Sequence, residues 1–188
     1  MKRINLGVAG AVALAAAALF SPTGSAMAPP LCEARASAAW EVAGRGFFAE
    51  AHSLGANCST AVVVVTVRNG QDEAVYVHAS PASWILTFDG IATAPEMEQA
   101  LASWIDQSAS QMKTTADLPA WAEGADQPML GDFPFYFDGE TTRDDYEALR
   151  AASQPLFCYV QGRESMACAA LNPATGEMTK VGMQSFPG

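Results

Sequence analysis

The chain has two histidines, His52 and His78, its first candidates for metal or acid–base chemistry. A zinc site needs three or four ligands at fixed spacing. Neither histidine has further ligands near it in sequence at such spacing, so no metal and no cofactor are expected. Acyl chemistry needs a serine, a base and a group that orients the base. Ser59, Ser80 and Ser83 lie near predicted strand ends, and His78 is close in sequence to the last two. Yet neither a G-x-S-x-G elbow nor an S-x-x-K motif is present. Asp138, Glu140, Asp144 and Asp145 gather where a helix should begin. Paired carboxylates can do glycosidase-type acid–base work, and clustered carboxylates can hold Ca²⁺. Asp138-Gly139-Glu140 does not reproduce the EF-hand ligand series, and three of the four acids also suit the positive end of a helix dipole.

From Lys113 to Thr141 the regular periodicity stops. Pro119, Pro128 and Pro134 punctuate the stretch. Acidic residues accumulate at Asp117, Glu123, Asp126, Asp132, Asp138 and Glu140, with Trp121, Phe133, Phe135, Tyr136 and Phe137 among them. Aromatic anchors in a polar, irregular segment are what a recognition surface uses. The same rings can instead fill a core, since exposed clusters invite aggregation. Trp121, Phe133, Phe135, Tyr136 and Asp138 are the candidate binding residues. A short strand at Phe133–Phe137 would bury alternate rings.

The four cysteines are even in number and lack C-x-x-C spacing, so two disulfides are expected rather than a metal or redox site. If Gly162-Arg163-Glu164 forms a hairpin tip, Gln161 faces Ser165 and Cys158 faces Cys168. Directly opposed residues of an antiparallel ladder are close enough to bridge. Cys32 then pairs with Cys58 by elimination, and that bond would pin the start of the exported chain.

These residues need elements to hold them. Ala61-Val62-Val63-Val64-Val65-Thr66-Val67 is almost unbroken in β-branched character, which favours a pleated strand over a helix. Apolar on both faces, it reads as the central strand of the main sheet, covered on both sides. Asn69-Gly70 then turns it into a partner strand at Ala74–Ala79, with Val75 and Val77 facing one way and Tyr76 and His78 the other. Trp84–Phe88 reads as a third strand. Upstream, residues 27–39 read as irregular or weakly helical, and Trp40–Val42 with Phe47–His52 as one bent strand around Gly44 and Gly46.

A long amphipathic helix should start at Thr93, with Glu96 closing a capping box and Pro95 in the first turn. Met97, Ala100, Leu101, Trp104, Ile105, Ser108 and Met112 form its apolar stripe, with Glu98, Gln99, Asp106 and Gln107 mostly off it. A shorter helix begins near Thr142, with Asp145 at capping-box spacing. Three strands follow, Leu156–Gln161, Met166–Leu171 and Met178–Phe186, joined by the Asn172-Pro173-Ala174-Thr175-Gly176 turn. The expected fold is a single α+β domain over 27–188: one antiparallel-rich sheet with one long and one short helix packed on it.

Lys2 and Arg3, the apolar run Ile4–Phe20 and the small residues before Ala26 read as a signal peptide over 1–26, with cleavage after Ala26. Losing Lys2 and Arg3 leaves 8 basic against 20 acidic residues, a net charge of −12. Such acidity argues against nucleic acid and anionic membrane surfaces, both of which need a cationic face. No membrane insertion is expected after cleavage. The sequence therefore points to a periplasmic or secreted, disulfide-bonded domain without a catalytic motif. Its leading reading is a non-enzymatic domain that binds a protein, peptide or glycan partner. The alternatives are an envelope hydrolase using acidic residues or a Ser/His pair, and a structural envelope protein.

Overall fold

A computed structural model describes residues 32–111, 113–139 and 141–185, with the side chains of 107–111 outside that set. The expected leader, 1–26, lies outside the described residues, as do Met112, Glu140, Phe186 and the side chains of Gln107 and Ser108.

The stretch expected to be irregular or weakly helical is strand from Ala34 onward. β1 (Ala34–Val42) and β2 (Arg45–Leu54) pair antiparallel over their whole length, from Ala34 opposite Ser53 to Val42 opposite Arg45. They are two strands rather than one bent one. Ala43 and Gly44 both have positive φ, 51° and 72°, as a two-residue hairpin turn with the right twist requires. Alanine in the first of these positions hid the turn. Small residues hid β1 itself, because Ala34, Ala36 and Ala38 alternate with Arg35, Ser37 and Ala39 without a strong hydrophobic contrast.

β3 (Val62–Asn69) pairs with β2, and β4 (Ala74–Pro81) pairs with β3. The Asn69–Glu73 connection closes as expected, but its left-handed residue is Asp72, at φ 66°. The Asn69 side chain organises the loop by accepting from the backbone N–H groups of Gln71 and Glu73, both at 3.0 Å. The ladder slips by one residue between Val67 and Arg68. That bulge overturns the expected alternation on β4: Val75 is buried, whereas Val77 points out to solvent.

Trp84–Phe88 is not a third strand. Pro81 ends β4, and the chain then makes two 3-10 turns, Ala82–Trp84 and Leu86–Phe88. Their i, i+3 spacing sends Ile85 and Phe88 into the core and leaves Trp84 and Leu86 exposed.

α1 (Ala94–Gln111) starts with the expected reciprocal cap. The Glu96 carboxylate accepts from the N–H of Ala92 and of Thr93, while Thr93 Oγ1 accepts from the N–H of Glu96. Those backbone donors hold the Glu96 carboxyl below its ordinary value. Met97, Leu101, Trp104 and Ile105 are buried. The helix packs on the small inner residues of β1 and β2 and also against β7 (Leu156–Val160), whose Val160 carbonyl accepts from Trp104 Nε1 at 2.8 Å.

There are two antiparallel sheets rather than one. The second contains β5 (Met129–Leu130), β6 (Phe133–Phe137), β7, β8 (Ser165–Leu171) and β9 (Met178–Ser185), in the order β5-β6-β9-β8-β7. The first has the order β1-β2-β3-β4. Cys158 lies opposite Cys168 and is bonded to it, and Cys32 is bonded to Cys58.

The second sheet is the buried middle layer. On one face Phe157, Tyr159, Ala167, Ala169 and Leu171 join the core under the first sheet and α1. On the other, Leu156, Cys158, Met166, Cys168 and Phe135 pack beneath Tyr146 of α2 (Arg143–Ala151) and Leu118. The strands covered on both faces are therefore β7 and β8, whose residues Leu156–Tyr159 and Met166–Leu171 are all buried, and not the valine-rich β3.

Candidate functional site

β3 alternates. Val63, Val65 and Val67 are buried against the rest of the chain. Val62, Val64 and Thr66 face the other way, onto the outer surface of the first sheet. The ladder assembles that surface in rows: Leu54, Val62 and Pro81; then Arg35, His52, Val64 and Ala79; then Ser37, Glu50, Thr66 and Val77; then Phe48 and Arg68. Phe48 is 50% exposed, Leu54 50%, Val62 41% and Val77 59%. No helix or strand lies over these residues among the described ones. Trp84 and Leu86, on the 3-10 turns that follow Pro81, are exposed as well.

The face has two halves. β3 and β4 contribute mainly apolar, β-branched surface. β1 and β2 contribute charge, around a cavity of about 620 Å³ lined by Arg35, Ser37, Glu50, His52 and Arg68, with Glu98 from α1. Arg68 Nε donates to Glu50 at 2.7 Å, and its Nη1 donates to the Asp72 carbonyl at 3.0 Å. The hydrogen bond to Glu50, with that residue's charge, pushes the guanidinium further up. An apolar field beside oriented polar groups is the composition of a protein-binding patch, with a dry centre and a polar rim. Sequence reasoning missed Phe48, Leu54, Val77, Arg35 and Arg68 here. The signal was the outward half of β3, which is more apolar than a solvated face requires.

The aromatic–acidic segment lies elsewhere, on and beside the second sheet. Phe135 is fully buried. Trp121 is half-buried, stacked on Phe137 at 5.9 Å, with its indole N–H donating to the Ala125 carbonyl at 2.8 Å. Its backbone is clamped to α2, where Glu147 accepts from the Trp121 N–H and Arg143 donates to its carbonyl. Phe133 is half-buried. Tyr136 is exposed, as are Met129 and Leu130 on the neighbouring edge strand. Asp138 is exposed and pairs with Lys180 at 3.3 Å. Trp121 and Phe135 therefore hold the segment in place, while Tyr136 and Asp138 present its accessible groups.

No hydrogen bond joins His78 to Ser59, Ser80 or Ser83 among the described residues, and Ser80 is buried. Ser59 Oγ donates to Asn57 at 2.8 Å, in the 3-10 turn after the Cys58 bridge. His78 instead packs its ring 4.9 Å from Tyr159, across the gap between the two sheets. Tyr159 and Tyr76 share a hydroxyl hydrogen bond of 2.7 Å there. His78 Nε2 is buried and has no hydrogen-bond partner among the described residues. Burial, and then the nearby Lys180 charge, lower the His78 pKa, so the imidazole is held neutral. Burial likewise raises both tyrosines. Among the described residues no three His, Cys, Asp or Glu side chains converge to hold a metal. Asp144 and Asp145 sit in the first turn of α2, where Thr142 is the cap and its Oγ1 donates to the Asp145 carboxylate at 2.6 Å.

No family model matches the chain, and no curated protein or solved structure matches it either.

Proposed function

We propose that the chain is an exported, periplasmic or secreted binding domain whose open sheet face is completed by a protein or peptide partner. One observation carries this reading. β3 has the composition of a strand covered on both faces, yet on its outward side Val62 is exposed and Val64 half-buried, with exposed Val77, Leu54 and Phe48 around them; Thr66 alone is buried there. Two disulfides suit an oxidising compartment, where such a face would meet its partner after export. No described helix is long and apolar enough to cross a membrane.

The test places a photo-crosslinking residue at Val77 or Val62 in cells that export the chain. Residues Ala122 and Thr175, exposed on other surfaces, serve as controls. Adducts should form from positions 62 and 77 and not from the controls. Equal labelling from all four, or none from the sheet face, refutes the reading. A second, smaller contact is favoured by the exposure of Met129, Leu130 and Tyr136 together on β5 and β6, beside Asp138. An aromatic ring next to a carboxylate is the combination that would suit a glycan or an extended peptide there.

A further inference from the structure

We propose that the cavity at the hairpin end of the two sheets is a binding site for a small carboxylate with an apolar body. It stands apart from the open outer face and does not depend on that face being an interface.

Three turns end in one place to build it. Arg45 and Gly46 follow the Ala43–Gly44 turn, Gly70 and Gln71 belong to the β3–β4 connection, and Gly176 ends the β8–β9 turn. With Phe47 and Leu171 they line a cavity of about 390 Å³. That lies within the range of roughly 300–1,000 Å³ typical of small-molecule sites. At about 30 Å³ per water-sized group it holds roughly a dozen non-hydrogen atoms. Side chains alternate along a strand, so Arg45 shares the inward side of β2 with buried Phe47, Ala49 and Ala51. It continues that apolar row beyond the core, where the first sheet meets Leu171 of the second.

Arg45 gives the cavity its preference. The chain carries 20 acidic against 10 basic residues, so a cation should readily find an internal partner. Arg35, Arg68, Arg150 and Arg163 each pair with a carboxylate, and Arg143 donates to the Trp121 carbonyl. Among the described residues, Arg45 is the one arginine whose side chain has neither an ion pair nor a hydrogen bond. No acidic residue lines the cavity. The acids nearest in sequence are placed elsewhere. Asp72 lies 3.8 Å from Arg68, and Glu73 accepts from the Asn69 side chain at 2.9 Å. Glu177 lines a different cavity, beside Tyr76, and Glu41 is on the outward side of β1, opposite Gly46.

The free groups then define the ligand. A guanidinium presents a planar fork that one carboxylate meets with two parallel hydrogen bonds. The Gly70 N–H and the Gln71 carboxamide, which make no hydrogen bond among the described residues, add donors on the same wall. A single lining cation matches one negative charge, whereas a phosphate dianion would carry a second charge with no cation to meet. Phe47 and Leu171 offer apolar contact to the rest of the molecule.

The experiment is an NMR titration of the ¹⁵N-labelled chain with both disulfides formed, read at the Gly46, Gly70 and Gly176 amides. The probes are phenylacetate and its neutral amide, then N-acetylphenylalanine and its neutral amide, each up to about 20 mM, well above a millimolar Kd. Phenylacetate should give saturable shifts at all three glycines with a Kd of about 1 mM or below, and phenylacetamide should bind at least about 10-fold more weakly. Arg45→Gln should weaken the acid by about 10- to 100-fold and leave the amide unchanged, with Arg45→Lys in between. Arg45 is exposed, so thermal melting checks that both variants still fold. Tighter binding of N-acetylphenylalanine than of phenylacetate assigns the site to a peptide C-terminus, and the reverse order assigns it to a free small acid. The absence of saturable shifts with either acid overturns the proposal. So does equal binding of each acid and its amide to the wild type, a comparison that needs no variant to fold. Acid binding that Arg45→Gln leaves intact overturns it as well.

Discussion

Gly182 gives the sharpest test of how the two sheets are built. It lies on β9, opposite Cys168 on β8 and Phe137 on β6. A methyl group added there would meet the Tyr136 carbonyl oxygen at less than contact distance. It would also lie 2.6 Å from Phe135 Cε1 and 3.0 Å from its Cζ. Phe135 is fully buried and packs edge-on to Phe137 at 5.4 Å, so its ring has nowhere to swing. The carbonyl belongs to the β6 backbone, so it can retreat only if β6 draws away from β9. Overpacking a core costs about 1–3 kcal/mol, and a backbone obstacle puts Gly182→Ala near the top of that range. For a chain of this size about 3 kcal/mol lowers Tm by roughly 6–12 °C. The assay is differential scanning calorimetry with the disulfides intact. Gly46→Ala is the control, because an added methyl there meets nothing within 4 Å. A Gly182→Ala protein melting within about 2 °C of wild type would refute the reasoning, since β6 could not then lie alongside β9 with Phe135 packed against Gly182 as described.

Three further outcomes follow from the same structure. Val63 and Val62 are neighbours on opposite faces of β3, so Val63→Ala should cost about 2 kcal/mol and Val62→Ala under about 0.5 kcal/mol in the isolated chain, read by urea denaturation. Removing the Cys32–Cys58 bond, which closes a separation of 26 residues, should cost about 3.5 kcal/mol on the chain-entropy model. Removing Cys158–Cys168, with a separation of 10, should cost about 2.7 kcal/mol, and the reverse order in paired Cys→Ser variants would count against that model. His78 has its pKa lowered in the folded state by burial and by Lys180, so the unfolded chain binds its proton first. Stability should therefore fall as pH drops below about 6.5, ahead of the carboxylates, and His78→Asn should flatten that slope in denaturant titrations.

Local chemistry was legible wherever neighbours in sequence are also partners in space. Thr93 with Glu96, Thr142 with Asp145, and the hairpin that sets Cys158 opposite Cys168 all act within a few residues. The candidate binding segment was recognisable as unusual, but not the direction of its rings. Phe135 and Tyr136 are adjacent and differ only by which face of β6 they occupy, and that depends on β9 lying alongside.

Other misreadings share a cause. β1 was hidden because alanines form its inner face. Trp84–Phe88 imitates a strand in composition, yet Pro81 and the i, i+3 burial of Ile85 and Phe88 make it turn.

The amino-acid sequence alone determined the elements that close over short separations: the caps, the Asn69–Glu73 and Asn172–Gly176 turns, the strand character of the valine run and the pairing of Cys158 with Cys168. The tertiary structure alone decided which strands share a sheet, that there are two sheets, and which face of β3 is left open. The physical reason is that side-chain pattern states how much apolar surface a strand must bury, but not what buries it. For the inner face of β3 the cover is this chain's own second sheet and α1. Over the outer face no described helix or strand is laid.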